Sequence, residues 1–203
     1  QEPNEIFADF MNTDVKLVSQ MKYEANNQVL TIEHDGYPES PREWDNMSKM
    51  IFIGKHSGYG DAHDLHQDHN SFEDHQAFVA KQLDAAWITP VYAYIHSGMA
   101  ISTEPFSCSF DSGKLGWVVL TREKIRSEYG VKRITQKTLD KAIAVAEAEV
   151  KTLDQYISGD VYGFTIEDDR GEIVDACGGF YGSDPKTNGM ADHLPEHFQN
   201  LIQ

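Results

Sequence analysis

The stretch PFSCSFDSGKLGWVVL, residues 105–120, decides how this chain is read. Its first half is polar and turn-forming, with Cys108 just ahead of Asp111-Ser112-Gly113. Its second half ends in the apolar run Trp117-Val118-Val119-Leu120. Apolar β-formers without polar alternation mark a buried strand. The stretch therefore reads as a tight loop feeding a buried central strand, with Ser107, Cys108, Asp111 and Ser112 held at the strand's mouth.

The flanks follow the same logic. PVYAYI, 90–95, has little polar relief and reads as a second central strand; residues 99–102 continue as a short strand or bulge. Downstream, Thr121 is placed to cap a short helix that Gly130 stops. Over 135–157, Leu139, Ala142, Ile143, Ala146, Val150, Leu153 and Ile157 recur at three- and four-residue steps, predicting a long helix with one packing stripe. Asp140, Glu147, Glu149 and Lys151 fall to its water side. Residues 161–167 and 172–177 flank a DDRG turn and predict a hairpin. Gly178, Gly179 and Gly182 predict a loop, and 193–203 a last short helix.

Upstream, 1–22 carries a weak helical pattern, broken near 12–14. QVLTIE, 28–33, alternates as a strand. The loop DGYPESPREWDN, 35–46, is expected to plug the core with Trp44, ringed by Arg42, Glu43, Asp45 and Asn46. A short buried strand over 50–53 leads into a His/Asp-rich excursion at about 55–75. Ser71 then caps a helix expected to run to Trp87. The order of elements predicts a single α+β domain over 1–203, with a mostly antiparallel sheet packed by two main helices, about 71–87 and 135–157.

Charge narrows the function. In 203 residues, 17 basic side chains face 33 acidic ones, a formal net of −16. A field of that sign repels phosphates, so direct nucleic-acid binding is not expected, whereas a basic protein surface is a suitable partner. No run is long and apolar enough for a membrane helix, and the start lacks a basic-then-apolar leader. Two cysteines do not make a disulfide scaffold. The expected location is the cytoplasm.

Three groups of residues carry the types that do chemistry. His63, His66 and His69 recur every third residue, with Asp68 beside them and Asp61, Asp64, Asp74 and His75 nearby; imidazole with carboxylate suits a divalent metal such as Zn or Mn, and carboxylates suit Mg. A solvated acidic loop with incidental histidines, or a pH-sensitive element, fits the same pattern. Cys108, His96 and Asp111 are the residue types of a nucleophile, base and orienter, although a cysteine is more often simply buried. Glu43, Glu104, Asp111, Asp154 and Asp160 lie near turns or element ends and suit acid–base work or turn capping alike. Asp154 and Asp160, at the end of the long helix, oppose its dipole and require a partner such as Arg42 or a metal. No phosphate-binding glycine motif is present.

Four blocks, PREWDNM at 41–47, YIHSGMAISTEPFSCSFDSGKLGWVVLTREKIRSEYG at 94–130, EVKTLDQYISGDVYGF at 149–164 and VDACGGFYG at 174–182, resemble an uncharacterised family of small proteins encoded by bacteriophages and mobile elements. The resemblance covers about a third of the chain. It implies a small accessory protein inside a bacterial host, with no assigned reaction. Together with the charge, it favours a non-enzymatic acidic protein that binds a basic host or viral protein, by nucleic-acid mimicry or in counter-defence. The alternative is a metal- or cysteine-dependent hydrolase with its site near 94–112.

Overall fold

The computed structural model describes residues 20–66, 68–108 and 110–202. These residues form an α+β fold whose strands all pair antiparallel. The expected class is observed, but the strands sort into two four-stranded sheets rather than one. Each sheet belongs to one of two compact units, Ser40–Ser158 and the pair of segments Gln1–Glu39 and Gly159–Gln203. Among the described residues, no helix is long and apolar enough to cross a membrane. Most of the helix expected over 1–22 lies outside the described residues; its last two positions, Met21 and Lys22, open a strand instead.

In the unit Ser40–Ser158 the sheet order is β3 (Lys49–Phe52), β6 (Ser112–Thr121), β4 (Ala85–Ile95), β5 (Met99–Ser102). The decisive stretch is the central strand β6, buried without interruption from Leu115 to Leu120. Burial on both faces explains the unbroken apolar run. Val118 and Leu120 join Met50, Phe52 and Val91 against Ala142, Ala146, Val150 and Leu153 of helix α3 (Gln136–Ser158). Trp117 and Val119 turn the other way, to Ile51 and Val79, the latter on helix α1 (Phe72–Gln82). β3 and β6 approach so closely that a Cβ added at Gly116 would stand 2.1 Å from the Ile51 carbonyl oxygen.

Helix α1 stops earlier than expected, and Trp87 lies on β4 rather than on the helix. Asp84 turns the chain with φ 45°, and Arg122 holds the turn by donating to the Asp84 carboxylate and the Ala85 carbonyl. Sheet pairing of Trp87 with Leu120 outweighs the apolar spacing that seemed to extend the helix. Pro90 is tolerated inside β4 because β5 pairs only from Tyr92 onward, leaving one side of β4 there without a ladder. Helix α2 (Arg122–Tyr129) has the expected cap, Thr121 Oγ1 accepting from the Lys124 N–H, and ends at Gly130 with φ 62°.

The other unit is a second sheet, β1 (Met21–Ala25), β2 (Gln28–His34), β7 (Val161–Glu167), β8 (Ile173–Tyr181), in that order. Leu30, Ile32, Tyr162, Phe164, Ile166 and Phe180 pack with Met190, Leu194, Phe198 and Ile202 from the C-terminal segment, which holds the short helix α4 (Glu196–Gln199). The expected hairpin is β7–β8, its turn tied by the Asp168 carboxylate accepting from Arg170 and Glu172 N–H groups. The glycines read as a loop belong partly to β8: Gly178 packs against Asp35, whose Oδ2 accepts from the Gly179 N–H at 2.9 Å.

Two measurements test this packing. Gly116→Ala is expected to lower unfolding free energy by about 1–3 kcal/mol in chemical denaturation, as overpacking does. Burial first, and then the Asp160 carboxylate, push the Tyr162 phenol above its ordinary 10.0. The folded state thus resists ionisation; the associated stability is complete below the ordinary value and is lost as pH rises through the raised one. Tyr162→Phe should remove a component that rises above the ordinary tyrosine range in an alkaline absorbance titration.

Candidate functional site

The loop feeding β6 brings Cys108, Asp111 and His96 together. β4 and β6 are adjacent, and the Ile95 N–H donates to the Asp111 carbonyl at 2.7 Å. His96, next along, therefore faces Asp111, its Nδ1 standing 3.4 Å from Oδ2. Cys108 Sγ contacts the same oxygen at 3.9 Å. In a nucleophile–base–orienter array the imidazole stands between thiol and carboxylate. Here the carboxylate stands between thiol and imidazole, and the His96 side chain is 69% exposed. Nothing in this order draws the thiol proton toward the ring. Asp111 and the almost fully exposed Phe110 also line an open groove of about 360 Å³ with Ile53, Lys55, His56 and Ile95. Glu43 lies elsewhere, on a cleft of about 600 Å³ with Arg42, Tyr59, Asp61 and Tyr156.

The histidine segment divides between the end of β3 and α1. His63 uses both ring nitrogens: Nε2 donates to the Phe52 carbonyl at 2.7 Å, and Nδ1 accepts from the Leu65 N–H at 3.2 Å. His66 lies over His63, with ring centroids 4.1 Å apart. His69 stacks instead on the buried His75, at 4.3 Å, and packs against Phe78. His75 donates from Nε2 to the Leu65 carbonyl and meets Trp117 edge-on. His69 Nε2 is buried without a hydrogen-bond partner among the described residues. The three-residue spacing thus splits into two ring pairs, His63–His66 tilted and His69–His75 stacked. His63, His66, His69 and Asp68 form no group of three or more metal-ligating side chains among the described residues. His63 is held at the end of β3, whereas His69 packs on His75 and Phe78.

Sequence reasoning missed a highly connected polar site. The Arg42 side chain is 6% exposed. Its Nε and Nη2 donate to the two Asp61 carboxylate oxygens at 2.9 and 2.8 Å, and Nη2 also reaches the Ser48 carbonyl at 2.7 Å. Asp61 accepts in turn from the Met50 N–H. Nη1 lies 3.7 Å from Glu149 Oε2. Glu149, read as a water-facing position of α3, accepts from the Met47 N–H at 2.6 Å, the Ser48 N–H at 3.0 Å and the Ser48 hydroxyl. The loop 41–48 is therefore anchored through Arg42, whereas Trp44, expected to plug the core, is 43% exposed. A signal was present: PREWDN pairs a proline-fixed turn with arginine, but spacing did not reveal which carboxylate would meet it. Asp154 does find a partner, the Ile101 N–H at 2.7 Å.

The acidic surplus is unevenly placed. Residues 1–39 and 159–203 hold 17 acidic and four basic side chains, a formal net of −13. Residues 40–158 hold 16 and 13, a net of −3. Arg42 and the ion pairs Lys114–Glu73, Arg122–Asp84 and Lys124–Asp45 all lie in the less charged unit. The Lys114 ammonium holds the Glu73 carboxyl below the usual range, and the Asp45 carboxylate holds the Lys124 ammonium above its own.

Comparison with protein-family models, with curated proteins and with solved structures finds no match to this chain. Two outcomes follow from the site geometry. Arg42→Met leaves Asp61 and Glu149 without their cation and is expected to cost about 3 kcal/mol in denaturant unfolding, as breaking a buried pair does, and more than Trp44→Ala costs. Exposed Cys108 should be labelled by a maleimide well before the partly buried Cys177 in the native protein.

Proposed function

We propose that this protein acts by binding, and that its ligand is a basic protein surface. One observation carries the reading: the concentration of charge, −13 within residues 1–39 and 159–203. Carboxylates at that density raise a field of several kT and draw a cationic partner from a distance. In the sharper form the carboxylates stand in for nucleic-acid phosphates and occupy a nucleic-acid-handling protein. The resemblance to proteins of bacteriophages and mobile elements supports that form, in which the protein works in a bacterial cytoplasm against a host or viral target.

The rival, a metal- or cysteine-dependent hydrolase, draws less support. Cys108, His96 and Asp111 meet, but in the wrong order for base catalysis. His63 and His75 bond backbone carbonyls, and His66 and His69 pack against those two rings.

The test is affinity for poly-lysine and for a lysine-rich DNA-binding protein at low and high salt, with duplex DNA as control. Binding should weaken steeply with salt, and DNA should not bind. Asp169→Asn, Glu172→Gln, Asp192→Asn and Glu196→Gln combined should weaken it more than Asp64→Asn, Asp68→Asn, Asp140→Asn and Glu147→Gln combined. Salt-independent affinity, or equal losses from the two sets, would overturn the reading.

A further inference from the structure

We infer that the free edge of β8 is where a basic partner docks, as an added β-strand of extended, lysine- or arginine-bearing chain. The inference rests on the binding function proposed above and assigns it a place and a mode.

β8 ends the sheet order, so its outer side carries no strand among the described residues. It is nine residues long, and residues 173–176 are exposed on both faces. Ile173 and Val174 are 63% and 53% exposed. An exposed strand edge is a template for another strand. Proteins that recognise peptides by strand addition gain affinity from main-chain hydrogen bonds and specificity from alternate side chains.

Register shifts at Val174 and at Gly178-Gly179 interrupt the edge, and a further local device beside the first selects for positive charge. The Ala176 N–H donates to the neighbouring Asp175 carboxylate at 2.9 Å instead of entering the ladder with β7. An incoming carbonyl takes this N–H and releases the carboxylate, which then meets a cationic side chain of the same strand. Around it, residues 167–175 contain five carboxylates against one arginine. An acidic or neutral strand would leave these charges facing one another. The opposite edge, β1, carries Lys22 and no comparable acidic cluster, so β8 is the favoured side.

Peptide binding to the full-length protein tests this. The probe is a nine-residue peptide of alternating lysine and valine. The controls are the same peptide N-methylated at alternate amides, a lysine–glycine peptide of equal charge, and a glutamate–valine peptide. The alternating lysine–valine peptide should bind, each control about tenfold or more weaker, since one lost hydrogen bond is worth roughly that factor. Ala176→Pro removes the outward N–H without breaking a ladder bond and should weaken the probe likewise. The N-methylated peptide keeps the test valid if that variant fails to fold. If the lysine–glycine and N-methylated peptides bind as tightly as the probe, strand addition is wrong while the acidic-surface reading stands. If no basic peptide or protein binds, that reading falls and takes this one with it. A concentration-dependent dimer abolished by Ala176→Pro would make a second copy the occupant and overturn the basic-partner assignment.

Discussion

Burial of β6 on both faces is the constraint on which the larger unit depends. A strand with helices on both sides can keep no polar face, so Leu115 to Leu120 must all be apolar and all be covered. That fixes α3 on one side through Ala142, Ala146 and Val150, and α1 on the other through Val79. It also fixes the neighbours: β3 comes so close at Gly116 that only a residue without a side chain fits. The loop ahead of β6 is then held at the end of a rigid strand, which is why Cys108, Asp111 and His96 meet at all.

Polar anchoring supplements this packing where the chain has no regular structure. The segment 41–48 would leave backbone N–H groups unpaired if it merely lay over the sheet. Glu149 accepts from two of them, and Arg42 joins the same loop to Asp61 and to the Ser48 carbonyl. The two carboxylates exceed the one guanidinium in formal charge, but backbone and hydroxyl donors complete their shells, as buried charge requires. A similar device works at smaller scale in the second unit, where Asp35 receives the Gly179 N–H beside a glycine that leaves room for it.

The electrostatics of the chain are not those of its sum. A net of −16 describes a molecule of uniform repulsion, yet one unit is close to neutral and rich in ion pairs, while the other holds most of the surplus. Where charge is matched, as in Lys114–Glu73 and Arg122–Asp84, it ties neighbouring elements together. The β7–β8 hairpin has both an acidic turn and an edge without a paired strand among the described residues. The histidines show the converse. Their sequence density suggested chemistry, but stacking on Trp117, His75 and Phe78 accounts for much of it.

The sequence by itself determined what depends on short-range pattern. β2, β3, β6, the hairpin, the Thr121 cap, the Gly130 stop and the long helix could be read, because periodicity and capping are local. It also determined the charge imbalance and the residue types at the mouth of β6. Tertiary structure alone decided what depends on which distant residue arrives: that Trp87 leaves its helix to pair with Leu120, that Glu149 turns from water to the 41–48 loop, and that Arg42 rather than Trp44 anchors that loop. It likewise decided the order of Cys108, Asp111 and His96 and the division of strands into two sheets. Each of these is a choice between partners far apart along the chain, and the energy that makes the choice exists only once the chain has folded.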